Sequence, residues 1–185
     1  IGYNQPKNTT GLYNGNISEV TWKTSPYHTK LGYIYDYDGL NRLIKGTFIN
    51  SSTHVNYLHD ENIKGYDKNG NILAIERYSQ SKEGNRTPID DLTYDYPANS
   101  NKLINVTDTR IEVGGFHDGN KYRGINLNDP HNDYAYDVNG NLTKDLNKEI
   151  TDIKYNHLNL PKEVLWNASS KINYIYDASG VKLKK

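Results

Sequence analysis

The chain has 185 residues, enough for one domain of ordinary size, and its 22 basic and 22 acidic residues give a formal net charge of zero. This balance argues against the basic face that nucleic-acid binding requires, and the absence of cysteine rules out disulfide bonds. Hydrophobic residues make up only 35%, but 17 tyrosines separate the chain from disordered proteins, which are poor in aromatic residues. We therefore expect an ordered all-β protein whose buried surface consists of Tyr, Ile, Leu and Val, with Trp22 and Trp166 packed within it.

A short unit repeats along the chain. It reads Tyr-Asp, two variable residues, Gly or Asn, one more residue, and then Leu or Ile. In chain order, a truncated copy at 13–17 is followed by copies at 37–43, 66–72, 136–142 and 155–161. Looser copies, with longer predicted tips, stand at 94–103 and 176–183, and a Gly/Asn/Asp-rich stretch at about 114–133 is predicted to be a long loop. Internal repetition of this kind indicates an array of identical supersecondary units.

Each unit has the residues of a β-hairpin. Tyrosines such as Tyr35 and Tyr37 occupy alternate positions before the tip, so they share one face of a strand. The Asp or Asn that follows favours the first position of a type I turn, and Gly or Asn three residues later accepts a left-handed backbone. Together they predict a three-residue loop with a bulge. This register places Tyr37 opposite Leu43, and Asp38 opposite Arg42 as an exposed ion pair.

A two-residue Asn-Gly loop is the alternative for the copies at 66–72 and 136–142. It would pair Tyr136 with Thr143 and would leave the copies with Asn41 or Asn159 unexplained. We therefore predict three-residue loops with positive φ at Asn41, Gly70, Gly140 and Asn159. The residues that define the repeat are Tyr37, Asp38, Asn41, Leu43, Tyr66, Asp67, Gly70, Ile72, Tyr94, Asp95, Tyr136, Asp137, Gly140, Leu142, Tyr155, Asn159, Tyr176, Asp177 and Gly180.

These units resemble the RHS/YD repeats of bacterial RHS toxins, of toxin-complex cocoon proteins and of the teneurin YD shell. The phrases at 37–43, 65–72 and 172–183 look most like RHS proteins of Bacteroidota. The resemblance covers residues 13–183 and implies that residues 1–185 form one segment of a hollow β-shell built from successive antiparallel hairpins. The self-cleavage segment of that family, Asp-Pro-x-Gly, is not matched, because Asp129-Pro130-His131-Asn132 lacks the glycine.

The resemblance implies a structural role and no enzymatic activity. The protein would be a wall segment of a large secreted or cell-surface protein that encloses a C-terminal toxin or effector domain. Its partners would be the remaining repeats of the shell, the enclosed polypeptide and, through the type IX route used by large Bacteroidota surface proteins, a secretion apparatus. A Tyr-rich adhesin or glycan-binding module is the alternative, since exposed aromatic rings can stack on sugars. Nucleic acid is not expected as a partner, because the net charge is zero. Membrane insertion is not expected, because no apolar run approaches the length of a membrane span.

Two segments imitate a calcium-binding EF-hand loop, beginning at Asp67 and Asp137. Glycine stands at the fourth position instead of the sixth, and the twelfth positions are Tyr78 and Lys148 instead of Glu. These aspartates are therefore predicted to cap turns. The six histidines show no zinc spacing, and no nucleophile elbow is present. We predict no catalytic, cofactor-binding or metal-binding residues.

Overall fold

The computed structural model describes residues 1–23, 30–50, 54–55, 58–110, 114–119, 131–166 and 168–185. These residues form antiparallel strands and one 3₁₀ turn (Leu146–Lys148), with no α-helix among them, so the predicted all-β class is confirmed. The strands are β1 (Glu19–Lys23), β2 (Lys30–Tyr37), β3 (Leu43–Asn50), β4 (His54–Val55), β5 (Glu61–Tyr66), β6 (Ile72–Gln80), β7 (Arg86–Asp95), β8 (Asn105–Asp108), β9 (Tyr134–Tyr136), β10 (Leu142–Asp145), β11 (Asp152–Tyr155), β12 (Pro161–Leu165), β13 (Lys171–Asn173), β14 (Ile175–Tyr176) and β15 (Lys182–Lys184).

The chain divides into two compact units, residues 1–93 with 108–116, and residues 94–107 with 117–185. The sheet of the first unit has the order β1-β2-β3-β5-β6-β7, and β4 also pairs with β3. The second unit contains the hairpin β9–β10, the sheet β11-β12-β13 and the hairpin β14–β15. Strands close in sequence are thus neighbours in space, as expected for successive antiparallel hairpins. Of the predicted long loop, residues 114–119 and 131–133 contain turns, bends and irregular backbone, and residues 120–130 lie outside the described part.

The predicted tip geometry is confirmed in all four tight copies. Asn41, Gly70, Gly140 and Asn159 have φ of 62°, 88°, 85° and 56°. In the first copy the Asn41 amide donates to the Asp38 carbonyl at 3.0 Å, and the Asp38 amide donates to the Arg42 carbonyl at 2.9 Å. The register follows, with Tyr37 opposite Leu43, Tyr66 opposite Ile72 and Tyr136 opposite Leu142. The alternative pairing of Tyr136 with Thr143 does not occur.

One of the two looser copies was predicted wrongly. The copy at 176–183 has the same three-residue tip as the others, because Gly180 stands three residues after Asp177, has φ of 86° and donates its amide to the Asp177 carbonyl at 3.1 Å. The residue opposite Tyr176 is Lys182, a lysine where the other copies have an apolar residue or proline. The copy at 94–103 does have a longer tip, closed by the bond from the Ile104 amide to the Asp95 carbonyl at 2.9 Å. The length of the loop therefore depends on where the left-handed residue stands after the Asp or Asn, and not on the apolar residue that follows it.

A second bulge follows each tight tip, and the sequence did not reveal it. Tyr37 pairs with Leu43 but Asp36 pairs with Lys45, so Ile44 is an extra residue in β3. The corresponding extra residues of the other hairpins are Leu73, Thr143, Lys162 and Leu183. Ile44 is 37% exposed. Beyond it, the side chains of β3 again alternate between the two faces of the sheet, but the alternation is shifted by one residue.

The interior differs from the prediction. The tyrosines of the repeat are half-buried. Among the described residues, five apolar side chains are buried (Phe48, Ile49, Leu92, Ile104 and Val106), together with polar residues that include Asp60, Asp90, Asn105, Asp133 and Asp145. The tyrosines therefore contribute buried surface without being fully buried, and the expectation of Tyr, Ile, Leu and Val omitted the polar residues of the interior.

The buried carboxylates accept hydrogen bonds from backbone amides where the strand ladders end. The Phe48 amide donates to Asp60 Oδ1 at 2.9 Å, just beyond the last pair of β3 with β5. In the second unit the Val106 amide donates to Asp133 Oδ2 at 2.8 Å. A buried amide without an acceptor is costly, so a short acidic side chain at these points replaces the missing strand partner.

Gly70 and Gly39 test whether the tip depends on the left-handed residue. A Cβ at either glycine would meet no atom within 4 Å, but only Gly70 has positive φ. We expect Gly70→Ala to lower the free energy of unfolding by about 1 kcal/mol, and Gly39→Ala to leave it unchanged or slightly raised. Urea denaturation of both variants measures this, and equal losses from the two would contradict the assigned loop.

Candidate functional site between successive hairpins

In five copies of the repeat, the tyrosine connects the copy to the one before it. The Tyr66 hydroxyl donates to the carbonyl of Leu43 in the preceding hairpin. The same bond joins Tyr37 to Ile17 (2.8 Å), Tyr136 to Leu103 (2.8 Å), Tyr155 to Leu142 (2.7 Å) and Tyr176 to Pro161 (3.0 Å). We call Tyr37, Tyr66, Tyr136, Tyr155 and Tyr176 the linking tyrosines. Their hydroxyls reach backbone carbonyls of the neighbouring copy.

The accepting carbonyl is presented by the tip geometry. The Arg42 carbonyl accepts from Asp38 within its own hairpin, and the carbonyl of Leu43 faces the opposite edge of β3 because successive carbonyls alternate along a strand. The bulge at Ile44 follows directly. Between β3 and β5 the backbone pairs are Lys45 with Asn62 and Gly46 with Glu61, so the Tyr66 hydroxyl extends this short junction toward the tip.

The phenol groups of Tyr66, Tyr136 and Tyr155 have a raised pKa and remain donors throughout the ordinary pH range. Burial raises the pKa of Tyr66, and the positive charge of Arg42 opposes this only in part. Burial also raises the pKa of Tyr136 and Tyr155. For Tyr33, whose hydroxyl donates to the His59 carbonyl at 3.0 Å, burial followed by the charge of Glu61 raises the pKa to about 12. A hydroxyl that does not ionise keeps its donor proton.

The aspartate of the repeat organises the tip. Asp38 Oδ1 accepts from the amides of Leu40 and Arg42, each at 2.9 Å. The predicted Asp38–Arg42 ion pair is present, with Arg42 Nη2 at 2.7 Å from Asp38 Oδ2. Side-chain oxygens at the same position of the other tips accept from the corresponding amides two and four residues later; they belong to Asp67, Asp137, Asn156 and Asp177.

Arg42 also contacts the next hairpin. Its guanidinium lies 4.4 Å from the centre of the Tyr66 ring, and Nη1 donates to the Asp67 carbonyl at 3.4 Å. The ion pair with Asp38 therefore holds a cation against the linking tyrosine, a contact worth about 0.5–1 kcal/mol at an exposed site.

Sequence reasoning missed one further tip of the same kind. Ser81 stands where the other tips have aspartate, and its hydroxyl accepts from the amides of Glu83 and Asn85, each at 3.2 Å. Gly84 has φ of 86° and donates to the Ser81 carbonyl at 3.0 Å. The signal was the Ser-x-x-Gly spacing, which no preceding Tyr-Asp pair marked.

Asparagines connect some of the tips side by side, which the sequence also did not reveal. Asn41 Oδ1 accepts from Asn14 Nδ2 at 2.7 Å and from Asn16 Nδ2 at 3.1 Å. Asn159 Oδ1 accepts from Asn139 Nδ2 at 3.2 Å and from Asn141 Nδ2 at 3.0 Å. In both cases the acceptor is the left-handed residue of one tip and the donors belong to the preceding tip.

An aromatic row lies on β1 and β2. The Trp22 and Tyr33 rings stack with centroids 6.0 Å apart, and Tyr33 and Tyr35 stack at 6.1 Å. Beside them is a concavity of about 160 Å³, lined by Tyr33, Tyr35, Leu43, Lys45, Gly46, Glu61, Ile63 and Ile75. Trp22 is 37% exposed, so its expected packing is incomplete, whereas Trp166 is half-buried and donates to the Lys148 carbonyl at 3.1 Å.

The EF-hand-like segments are organised as turns. Asp67 Oδ2 accepts from Asn71 Nδ2 at 2.8 Å, in addition to the amides that its Oδ1 accepts. Across the described residues, no cluster of three or more His, Asp or Glu side chains could hold a metal ion. The same part of the chain contains no helix with the length and hydrophobicity to cross a membrane. His28, the His54 side chain, Asp129 and Pro130 lie outside the described residues.

Removal of the Tyr66 hydroxyl tests the link. We expect Tyr66→Phe to lower the free energy of unfolding by about 1–2 kcal/mol, because the Leu43 carbonyl loses its donor while the apolar ring contacts remain. Tyr13→Phe is the matched control, since the Tyr13 ring is 85% exposed. Chemical denaturation measures both variants; a Tyr66→Phe protein as stable as the control would show that the bond contributes nothing.

The pKa of Asp177 tests the tip cap. The Ser179 hydroxyl donates to the Asp177 carboxylate at 2.7 Å, and this bond, with those from the Val181 and Ser179 amides, lowers the pKa of Asp177. A lowered folded-state pKa gives stability that is complete above the unfolded value of about 3.9 and is lost as the pH falls through the folded value. We expect Ser179→Ala to raise the pKa of Asp177 in an NMR titration, and to leave that of Asp137 unchanged. No change at Asp177 would contradict this account of the cap.

The chain matches no protein-family model and no curated protein. The resemblance to RHS/YD repeats therefore stays a prediction from the repeated residues. What the structure adds is the geometry of the hairpins in which those residues lie.

Proposed function

We propose that this chain is a structural wall segment of a large secreted RHS-repeat protein that encloses a C-terminal toxin or effector domain. The observation that carries the proposal is the repeated link from a tyrosine hydroxyl to a carbonyl of the preceding hairpin. Because the hairpins of Tyr37, Tyr136 and Tyr155 each donate one such bond and also offer a carbonyl to the next, the same joint can extend a wall hairpin by hairpin.

The engagement of the signature side chains also supports a structural role. The linking hydroxyls donate to backbone carbonyls, and the tip aspartates accept from backbone amides. A catalytic acid, base or nucleophile instead needs a group directed at a substrate. The side chains that recur most regularly in this chain form hydrogen bonds with backbone groups. For this reason we propose a protein without enzymatic activity.

The proposed partners follow from the wall. They are the remaining repeats of the same shell, the enclosed polypeptide and the secretion apparatus that exports the protein to the cell surface or beyond. The zero net charge agrees with a wall that does not bind nucleic acid.

A second candidate is an adhesin that binds glycans. It is favoured by the row of Trp22, Tyr33 and Tyr35, in which the outer indole is 37% exposed, and by the adjacent concavity with Lys45 and Glu61 in its lining. Aromatic faces stack against the apolar faces of sugars, and flanking polar groups can bond to hydroxyls. This site would use the face of the sheet, including the face of the junction between β3 and β5.

The two candidates are separated by protease protection and glycan binding of the full-length gene product. A shell predicts that sequence C-terminal to the repeats resists limited proteolysis, and that Tyr66→Phe combined with Tyr155→Phe exposes it, while Tyr13→Phe does not. Cleavage of that sequence at equal rates in the unaltered protein, the double variant and Tyr13→Phe would overturn the proposed shell. Binding to immobilised glycans that Trp22→Ala abolishes would establish the adhesin instead.

A further inference from the structure

We infer that an asparagine in the left-handed position of a tip is a recognition site for the hairpin that precedes it, and that its partner is a tip with asparagine on both sides of a left-handed glycine. The two instances have the same geometry. Asn14 and Asn16 flank Gly15 and donate to Asn41, and in the second unit Asn139 and Asn141 flank Gly140 and donate to Asn159.

The choice of asparagine needs a reason at these positions. Asn41 and Asn159 have φ of 62° and 56°, where glycine carries no steric penalty and serves the tips at Gly70, Gly140 and Gly180. An asparagine there is favoured where its side chain makes contacts that glycine lacks. Oδ1 of each asparagine accepts two hydrogen bonds from the neighbouring tip, and these contacts supply the reason.

The donor amides are oriented by bonds within their own tip. Asn141 Nδ2 also donates to Asp137 Oδ2 at 2.9 Å, and Asn14 Oδ1 accepts from the Asn16 amide at 3.1 Å. Each bond fixes the side-chain amide so that an N–H is directed at the next tip. An oriented donor loses less conformational freedom on pairing, so it discriminates better between acceptors.

The pairing has a direction. In the accepting tips the residues beside the left-handed asparagine are Leu40 and Arg42, and Leu158 and Leu160, none of which is an asparagine. An accepting tip therefore cannot donate onward in the same way. In both pairs the Asn-Gly-Asn tip comes first and the asparagine tip second, so these side chains favour that order of the two hairpins in addition to stabilising them. This inference does not depend on the proposed shell, and it holds for any array of these hairpins.

A double-mutant cycle in the complete chain tests the recognition. Asn159→Gly keeps the left-handed backbone and removes the acceptor, and Asn139→Ala removes one donor. We expect Asn139→Ala to speed amide hydrogen exchange at the two tips by about 3- to 10-fold in the original chain, and to have no further effect when Asn159→Gly is present. Val138→Ala is the matched control, because Val138 lies in the same donor tip and is 101% exposed. Equal effects of Asn139→Ala in both backgrounds would overturn the inference.

Asn159→Asp provides a second measurement that general loss of structure would not imitate. The introduced carboxylate would accept from both donors, so its pKa should lie below the usual value of about 3.9. Adding Asn139→Ala should move it back toward that value, and adding Val138→Ala should not. A pKa that is the same in all three proteins would show that the neighbouring tip does not recognise position 159. Neither result depends on whether an enclosed toxin exists, so failure here is distinguishable from failure of the shell.

Discussion

The hydrogen bond from a tyrosine hydroxyl to a carbonyl of the preceding hairpin is the contact on which the rest of the structure depends. Tyrosine suits this position because its ring packs half-buried between hairpins while its hydroxyl donates at the far end. Phenylalanine would supply the ring and leave the carbonyl without that donor, and serine would be too short to reach it. The backbone ladder between β3 and β5 has few pairs, so the junction depends strongly on these side chains.

The tips prepare that contact. The aspartate carboxylate holds the amides two and four residues later, the left-handed residue closes the loop, and the second bulge follows the accepting residue. Each feature is local, and together they fix the direction of one carbonyl. The accepting carbonyl of a hairpin is therefore oriented before the next hairpin packs against it. This favours an array in which neighbours in sequence are neighbours in space.

Buried carboxylates explain how so polar a chain stays ordered. Hydrophobic residues make up 35% and the mean hydropathy is −0.88, yet Asp60 and Asp133 are almost completely buried because each accepts a backbone amide at the end of a ladder. A hairpin array has many ladder ends, and each exposes donors that need acceptors. Aspartate supplies the acceptor where a continuous sheet would use the next strand, so the interior is partly polar by construction.

The sequence by itself determined the hairpins of the four tight copies, their tip geometry and the pairing of Tyr37 with Leu43, because a turn depends on a few consecutive residues whose backbone preferences are strong. It did not determine the carbonyls that the linking tyrosines reach, the asparagine pairs or the buried aspartates. The partners in these contacts are separated along the chain, by 13 residues for Tyr155 and Leu142 and by 33 for Tyr136 and Leu103. Periodicity indicates which face a side chain occupies, but only the stacking of one hairpin on the next decides which atom it meets.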